Sequence, residues 1–390
     1  MKVGFNARLL TAPTLRGWNR YTANLLAELA QLDVQLVLYS DRPIHPAHLE
    51  RLPQSAYQVR LSPAMRYLQW EQVWLPQQCS KDQIDVLHCP MNFGLPAFNS
   101  CPQVLTLHDA IDQVYYAKHL SLFQRFSFAY RQSQLYHWIA RTRSTHIITV
   151  SEFSKRDLVE HLKIPASKVS VIYEAADDHF YRSIADAVRS QYQLASPYVF
   201  YVGGLEQRKN IPFLVKAFAE ANLQGVDLVL AGGQVQDQNQ LRLLAESLGI
   251  AERIRFLGWV DDRDLPELYA GALCFVYASE YEGFGLQLCE AMAVGCPILA
   301  AQATCLPEVL GEGGILFSLE NTQELSNCLR YINADPEYRS SLGQRAKLRS
   351  QHFSWQQTAQ ATLQVYERAL GRSTKSQAFK RTASLANPDC

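Results

Sequence analysis

Two glutamates on either side of a glycine-rich turn are the residues of this chain best suited to chemistry. Gly283 and Gly285 follow Glu282 and let the backbone come close to a ligand. A helix is predicted over Leu286–Val294, and the free N–H groups at its start favour an anion. Glu290 lies about one turn inside that helix, too far round the bend to pair with Glu282. The two carboxylates could therefore bind two hydroxylated parts of one ligand that has phosphates between them. A nucleotide-sugar has this shape.

An alternative interpretation makes Glu282 and Glu290 solvated charges on a surface helix. For an isolated pair of glutamates we would favour it. Here the flanking residues are apolar, and a strand-like run at 273–277 leads directly into the turn. Open α/β sheets bind ligands at the carboxyl ends of their buried strands. The position therefore favours a binding site.

Short apolar runs alternate with helical patterns along the chain, which predicts parallel sheets built from β-α-β units. The predicted strands are 3–6, 34–39, 57–61, 85–89, 104–108, 146–150, 169–173, 198–202, 227–231, 254–257, 273–277, 297–301 and 314–317. Predicted helices of the first part of the chain are 19–31, 66–80, 120–141 and 152–162. The strand pattern lapses between residues 174 and 197, where we expect a linker between two domains.

The composition is that of a soluble globular protein. The chain has 390 residues, 48% of them hydrophobic, and its 37 basic and 37 acidic residues give a net charge of zero, which argues against nucleic-acid binding. The nine cysteines form no C-x-x-C pair, and residues 1–6 read as a core strand rather than a signal peptide. No run of about 18 apolar residues is present. We expect a cytoplasmic protein.

Residues 281–297, Tyr-Glu-Gly-Phe-Gly-Leu continuing to Glu-Ala-Met-Ala-x-Gly-x-Pro, resemble the signature of retaining glycosyltransferases of family 4 (glycosyl transferases group 1). The similarity extends along nearly the whole chain. It implies the GT-B fold, an α/β architecture with two Rossmann-like domains facing a central cleft. The resemblance implies that residues 1–180 form an acceptor-side domain and 190–352 a nucleotide-sugar domain, with a helix at 353–370 crossing back to the first. Residues 371–390 are polar, and we expect disorder there.

The resemblance implies roles for the residues of the glutamate segment. Glu282 binds sugar hydroxyls, and Glu290 accepts hydrogen bonds from the ribose. The backbone N–H groups of Phe284, Gly285 and Leu286 face the sugar and the phosphate. No metal or other cofactor is then expected.

A basic segment after a predicted strand resembles the family's phosphate-binding sequence, Gly-x-Leu-Glu-x-Arg-Lys-Asn, here residues 203–210. The resemblance implies that Arg208 and Lys209 stabilise the departing diphosphate, one as a forked donor and the other as a compact charge. The alternative is a solvated basic turn. Many relatives carry an arginine where this chain has Gly204, which we assign to the donor site.

The first domain contributes a loop and a histidine. Gly17 resembles the glycine whose N–H approaches the donor phosphate, while Asn19 replaces the family's second glycine. The alternative is an ordinary turn with Asn19 as the helix N-cap. His108, followed by Asp109 at a predicted strand end, resembles the histidine that faces the donor sugar, and we assign it sugar contact rather than proton abstraction.

Three further positions depend on local structure. Ser151 is predicted to cap a helix, with Ser154 three residues on, and resembles a family Ser-x-x-Ser segment. Val260 is predicted to lie beneath the nucleobase. Asp262 and Asp264 spell the D-x-D metal motif of another architecture. We reject the metal interpretation and expect these aspartates to cap the helix that follows.

The segment 113–151 has basic and aromatic residues but no acidic one. We interpret it as a core helix with a solvated basic stripe. The alternative is a face that meets an anionic or lipid-linked acceptor at the inner face of the membrane, as a peripheral contact.

The resemblance implies a metal-independent retaining transfer of a hexose from a nucleotide-sugar to a glycan or lipid-linked acceptor, in bacterial polysaccharide synthesis. The Arg-Lys-Asn variant resembles the mannosyltransferase branch, which favours GDP-mannose. One alternative is a GT-B nucleotide-sugar epimerase. Another is a catalytically silent sugar-nucleotide-binding scaffold, which the departures at Gly204 and Asn19 keep open. A dinucleotide oxidoreductase is not supported, because no G-x-G-x-x-G follows the first strand of either half.

Overall fold

The computed structural model describes residues 1–13, 17–119, 127–182, 188–233 and 235–372. Two parallel sheets organise these residues. The strands are β1 (Lys2–Asn6), β2 (Gln35–Ser40), β3 (Tyr57–Leu61), β4 (Val86–Cys89), β5 (Gln103–Thr106), β6 (His146–Thr149), β7 (Val169–Val171), β8 (Tyr198–Val202), β9 (Asp227–Ala231), β10 (Ile254–Gly258), β11 (Cys274–Tyr277), β12 (Ile298–Ala301) and β13 (Ile315–Phe317).

The first domain is built around a seven-stranded sheet with the order β3-β2-β1-β4-β5-β6-β7. All its neighbouring strands run parallel. Every residue of β4 and β5 is buried, because helices cover both faces of a parallel sheet. The strand order reverses between β1 and β4, so the segments that follow these strands border a crevice.

The second domain is built around a six-stranded parallel sheet with the order β10-β9-β8-β11-β12-β13. Here the order reverses between β8 and β11, which are hydrogen-bonded neighbours. The segment after β8 and the segment after β11 therefore leave the sheet side by side. This reversal explains how two sequence motifs more than 70 residues apart can meet at one sheet edge.

The α-helices are α1 (Trp18–Leu29), α2 (Pro46–Leu49), α3 (Tyr67–Gln69), α4 (Leu75–Lys81), α5 (Ala117–His119), α6 (Phe128–Arg143), α7 (Glu152–Glu160), α8 (Val188–Gln191), α9 (Ile211–Ala221), α10 (Val235–Ser247), α11 (Leu265–Ala270), α12 (Leu286–Val294), α13 (Leu306–Leu310), α14 (Thr322–Ala334), α15 (Pro336–Ser350) and α16 (Trp355–Ala369). Short 3₁₀ helices lie at Arg8–Thr11, Gln54–Ala56, Ala166–Lys168, Asp178–Tyr181, Gln207–Lys209 and Ala251–Arg253, and π-helical segments at Trp70–Trp74 and Asp112–Tyr116. None of the helices within the described ranges is long and apolar enough to cross a membrane.

All thirteen predicted strands are present, with ends that differ by at most two residues. The helix predicted at 120–141 is observed at Phe128–Arg143: Ser127 is in an extended conformation and caps it by accepting a hydrogen bond from the Tyr130 N–H. Residues 120–126 lie outside the described ranges. The expected linker contains the 3₁₀ helix Asp178–Tyr181 and α8. Of the tail expected to be disordered, residues 373–390 also lie outside the described ranges.

The last helix, α16, crosses back to the first domain as predicted. The Tyr366 hydroxyl lies 2.6 Å from Nδ1 of His88 on β4, and both side chains are buried. Thr358 donates a hydrogen bond to the carbonyl of Tyr173 at 2.7 Å. Trp355 packs edge-on against Tyr21 of α1. The second domain is thus joined to the first by a helix as well as by the connecting segment.

Candidate functional site

A cleft of about 390 Å³ lies between the two domains. It is bordered by segments that follow strands of both sheets, where open α/β proteins bind ligands. All eleven residues assigned to the site from the sequence line it: Gly17, His108, Gly204, Arg208, Lys209, Val260, Glu282, Phe284, Gly285, Leu286 and Glu290. The structure brings these residues together, while the individual roles assigned to them stay predictions.

Glu282 is held by two cations from the segment after β8. Its Oε1 accepts a hydrogen bond from Lys209 Nζ at 2.6 Å and another from Arg208 Nη1 at 2.8 Å. Lys209 also donates to the hydroxyl of Tyr277, the last residue of β11, at 3.0 Å. The three charged groups lie at the edge where β8 and β11 are neighbours, and together they leave one net positive charge facing the cleft.

Burial acts against each of these charges, and the neighbouring charges outweigh it for Glu282 and Arg208 but not for Lys209. Burial would raise the pKa of Glu282, but Lys209 and Arg208 outweigh it and hold that pKa below its ordinary value. Burial lowers the pKa of Lys209, with Glu282 acting in the opposite direction. The pKa of Arg208 is raised, because Glu282 outweighs burial. The carboxylate therefore stays ionised and can accept hydrogen bonds from hydroxyl groups.

The start of α12 supplies free backbone N–H groups beside Glu282. Gly285 is the N-cap and has φ of 89°, a left-handed conformation that side chains rarely adopt. No side chain caps this helix start, so its first N–H groups remain available to an anion in the cleft. The aromatic ring of Phe284 stacks on Tyr173 and is thereby fixed to the first domain.

Glu290, in the second turn of α12, binds side chains of both domains. Its Oε1 forms an ion pair with Nη1 of Arg20 on α1, and its Oε2 accepts a hydrogen bond from the Tyr269 hydroxyl at 3.0 Å. Burial raises the pKa of Glu290 to about 7 even though Arg20 opposes the shift. Glu282 and Glu290 have separate partners and do not pair, as predicted.

Arg20 also binds the aspartate that we expected to cap a helix. Its Nη2 lies 2.6 Å from Asp262 Oδ2, and its Nε lies 3.8 Å from Asp177 Oδ2. Asp264 occupies the N-cap position of α11 as expected, but its side chain makes no capping bond and instead accepts a hydrogen bond from Tyr192, so the expected capping of N–H groups is wrong. Ion pairing with a buried guanidinium has taken Asp262 away from the helix start.

His108 is buried at the wall of the cleft with both ring nitrogens engaged. Nδ1 lies 3.1 Å from a carboxylate oxygen of Glu174, and Nε2 lies 3.2 Å from the carbonyl oxygen of Pro90. A carbonyl only accepts, so Nε2 carries a proton. The ring also stacks on Trp18. This arrangement fits a positioned contact better than a free base.

Gly17 is the N-cap of α1, with φ of 44°, and Asn19 lies within the first turn of that helix. The alternative in which Asn19 is the N-cap is therefore wrong. Trp18, between these two residues, projects to the cleft and packs edge-on against Phe93. The family loop keeps its first glycine in the unusual conformation, and the substituted position has become helical.

The floor of the cleft on the second-domain side is glycine-rich. Gly203 and Gly204 follow β8, and Gly232 and Gly233 follow β9. A side chain on Gly232 would meet the carbonyl oxygen of Gly203 at 2.3 Å, so only glycine fits there. The space beside Gly204 is occupied by the carboxylate of Glu206. The strand ends can thus approach a ligand through their backbones.

The two domains touch directly at the glutamate loop. Ser151 and Ser154 donate hydrogen bonds to the carbonyl oxygen of Gly283, at 2.7 and 3.0 Å. The Ser151 hydroxyl also accepts from the Ser154 N–H at 2.9 Å, which confirms the predicted helix cap. A side chain on Gly283 would meet Asp109 Cβ and the His108 carbonyl oxygen at 3.0 Å. The loop that carries Glu282 is therefore positioned partly by the first domain.

Sequence reasoning assigned no role to Arg20, Trp18, Tyr269 or Gly232. Arg20 and Trp18 lie in the family loop that we singled out, so the motif was a signal for both. Gly232 follows a predicted strand, which also could have indicated it. Tyr269 lies inside a helix, where nothing in the local pattern separates it from a core aromatic residue.

The described residues contain no group of three or more histidine, cysteine, aspartate or glutamate side chains arranged to hold a metal ion. Metal independence nevertheless stays a prediction, since a bound substrate can supply metal ligands of its own.

Two family models match the chain. Glycosyltransferase Family 4 matches residues 15–180, and Glycosyl transferases group 1 matches residues 186–349. Among curated proteins, O-antigen chain mannosyltransferase B of Escherichia coli is 34% identical over 228 residues, covering 57% of this chain and 60% of that protein. Serotype-specific mannosyltransferase WbdA of Escherichia coli is 29% identical over 257 residues, covering 63% of this chain but only 31% of WbdA. The matches thus span about three fifths or less of these relatives.

Solved structures confirm the GT-B fold. Sucrose-phosphate synthase from Thermosynechococcus elongatus superposes with a TM-score of 0.74 at 22% identity, over 95% of this chain and 100% of that one. HepE of Anabaena, solved with UDP and glucose, superposes with a TM-score of 0.75 at 20% identity, over 94% of this chain and 100% of that one. At these identities the likeness concerns the fold.

Proposed function

Because the chain belongs to the GT-B glycosyltransferases, with a family 4 first domain and a group 1 second domain, we propose that it transfers a hexose from a nucleotide-sugar to a glycan or lipid-linked acceptor. We propose further that the transfer retains the configuration of the sugar, needs no metal and belongs to bacterial polysaccharide synthesis. The observation that carries the proposal is the group formed by Lys209, Arg208 and Glu282 beside the start of α12.

This group suits a sugar diphosphate. The two cations and the N–H groups at the helix start favour the diphosphate, whose negative charge grows as the bond to the sugar breaks. Glu282 stays ionised among them and accepts hydrogen bonds from sugar hydroxyls. The protein thereby supplies the positive charge that a divalent metal supplies in other transferases, which is our reason for proposing a metal-free reaction.

The ribose and the nucleobase of the donor would bind in the same cleft. Glu290 keeps acceptor positions for the ribose hydroxyls, and Val260, which lines the same cleft, offers an apolar surface to the nucleobase. The relative that is 34% identical is named a mannosyltransferase, which supports GDP-mannose as the donor.

The proposed transfer exchanges one bond at the sugar C1 for another. The bond between the sugar C1 and the diphosphate oxygen breaks, and a bond forms between C1 and the acceptor hydroxyl oxygen. The acceptor's proton passes to the departing phosphate oxygen on the same face of the sugar. Lys209 and Arg208 stabilise the leaving diphosphate. His108, whose ring nitrogens are already bonded to Glu174 and Pro90, contacts the sugar and abstracts no proton.

The acceptor is proposed to enter along the first domain. Trp18 lines that side of the cleft, where its ring can cover a sugar. Helix α6 exposes Phe128 and Trp138, and the Arg143 guanidinium lies 5.5 Å from the Trp138 ring. Exposed aromatic and basic groups on this helix suit a lipid-linked acceptor at an anionic surface, consistent with peripheral membrane contact.

The experiment that tests this function combines binding with turnover. We would titrate GDP, UDP and ADP into the protein by calorimetry, with and without a chelator, and then measure release of nucleotide from the matching sugar donors. We expect GDP to bind equally well with chelator, and GDP-mannose to be consumed when acceptor is present. Binding without turnover for any donor and acceptor tried would instead support the silent scaffold, and failure of every nucleotide to bind would refute the nucleotide-sugar site.

A further inference from the structure

Arg20 connects the two domains at the nucleotide side of the cleft. It lies in the first turn of α1, in the first domain, and only 6% of it is exposed. Its guanidinium reaches Glu290 and Asp262 of the second domain and Asp177 of the connecting segment. Arginine suits this position because its planar fork can serve several carboxylates at once, which a lysine ammonium cannot do with the same geometry.

Glu290 is not saturated by these contacts. Arg20 occupies one position on Oε1, and Tyr269 donates to Oε2. A carboxylate offers about four acceptor positions, so each oxygen retains one. Two neighbouring hydroxyl groups of a ligand could therefore bind while Arg20 and Tyr269 stay in place.

Without Arg20, Glu290 would be a poor acceptor. Burial raises its pKa to about 7, Asp177 and Asp262 act in the same direction, and Arg20 is the cation that opposes them. Tyr269 faces the same carboxylate, and its own raised pKa keeps it a neutral donor. Removal of Arg20 would leave the buried carboxyl group beside two aspartates, which favour its protonated form, with only the Tyr269 hydrogen bond favouring the ionised form.

We propose that Arg20 is a positioning residue of the first domain that holds Glu290 of the second domain in the orientation that accepts the ribose hydroxyls of a nucleoside diphosphate. The inference rests on the proposed function. It follows that the nucleotide site is complete only when the domains are together, even though the nucleotide-binding groups belong to the second domain. Nucleotide binding and domain closure are then linked through one side chain.

The test compares Arg20→Gln and Arg20→Lys with the wild type by calorimetry. The probes are GDP and its 2′,3′-dideoxy analogue, with UDP and ADP in parallel, at about pH 7 and about pH 8.5, because loss of Arg20 raises the pKa of Glu290 further and a higher pH favours its ionised form. We expect Arg20→Gln to weaken GDP binding roughly tenfold to hundredfold at the lower pH, since hydrogen bonds to a charged group are lost. The dideoxy analogue should lose little, and GDP affinity should partly recover at the higher pH. Arg20→Lys should fall between.

Arg60→Gln is the matched control, because Arg60 pairs with Asp82 on the first domain, away from the cleft. Thermal melting of each variant establishes that it is folded, and Arg20→Lys carries the test if Arg20→Gln does not fold. Equal GDP affinity in wild type and Arg20 variants would overturn the inference and leave the proposed function intact. So would equal losses for GDP and the dideoxy analogue, which would indicate a merely structural role. If the wild type binds no nucleotide, the proposed function fails and the inference fails with it.

Discussion

Lys209 Nζ lies 2.6 Å from Glu282 Oε1, although the two residues are 73 positions apart in the chain. The contact exists because the order of the second sheet reverses between β8 and β11, which sends both segments out of the sheet at one point. A carboxylate and an ammonium group that stabilise each other in this way present both hydroxyl-binding and phosphate-binding chemistry in one place.

Replacement of Lys209 by alanine should lower turnover more than it weakens donor binding. Phosphate charge grows in the transition state, so a lost cation affects that state most. We expect turnover to fall roughly a hundredfold to a thousandfold, as for other groups that stabilise a developing anion. Steady-state kinetics with the competent donor measure both constants. Lys216→Ala, on an exposed position of α9, is the control, and full turnover in Lys209→Ala would disprove the phosphate assignment.

Replacement of Glu290 by alanine should weaken nucleotide binding while leaving the sugar-side group intact. The loss of hydrogen bonds to a charged acceptor predicts a rise in Kd of roughly tenfold to hundredfold. Calorimetric titration of the nucleotide that binds the wild type gives the value. Glu320→Ala removes an exposed glutamate of the same domain and should leave Kd unchanged. An unchanged Kd in Glu290→Ala would mean that the ribose lies elsewhere.

The raised pKa of Glu290 should also appear in the pH dependence of stability. The folded-state pKa is about 7 against an ordinary value of 4.5, so the neutral form favours the folded state. Stability is then fully present below the unfolded pKa and is lost as pH rises through 7. Glu290→Gln should not show this loss. Between about pH 5 and about pH 8, the free energy of unfolding of the wild type should therefore fall by up to ~3 kcal/mol more than that of the variant.

Urea unfolding at the two pH values measures this difference. Because only the difference between wild type and variant is used, other titrating groups cancel. Parallel pH dependence in both proteins would show that Glu290 ionises normally when folded.

Replacement of Ser154 by alanine should lower turnover by loosening the glutamate loop. The substitution removes one of two hydrogen bonds to the Gly283 carbonyl and keeps the one from Ser151. A single hydrogen bond contributes about 1 kcal/mol, so we expect a fewfold loss of turnover and a similar loss of stability. Kinetics and thermal melting measure the two effects. Ser247→Ala, at an exposed position on α10, is the control, and a Ser154 variant with wild-type turnover would show that this contact does not position Glu282.

The fold could be predicted because the strands of a parallel sheet are apolar along their whole length. β8 and β9 were predicted with the bounds that they have. The start of α6 was predicted too early, since Ser127 caps the helix at Phe128, and the expected capping bonds from the aspartates before α11 are not made. A capping pattern is local, and a buried guanidinium from another domain can outcompete it, as Arg20 does at Asp262.

The site could be predicted where its residues follow strands in recognisable motifs, as Lys209, Glu282 and Glu290 do. The side chains that pair with these residues were not predicted from the sequence. Arg20 and Glu290 are 270 positions apart and meet only because α1 and α12 face each other across the cleft. The family loop indicated the region of Arg20, but only the structure shows that the side chain is buried and has three carboxylate neighbours.

Gly283 sets a lower limit on the separation of the domains. A methyl group on its Cα would stand 3.0 Å from Asp109 Cβ and from the His108 carbonyl oxygen. Its backbone conformation is open to any residue, so the space alone requires glycine there. A methyl group there would push the glutamate loop and the segment after β5 apart by tenths of an ångström. The absence of a side chain at this one position therefore lets the loop that carries Glu282 lie directly against the segment that carries His108 and Asp109.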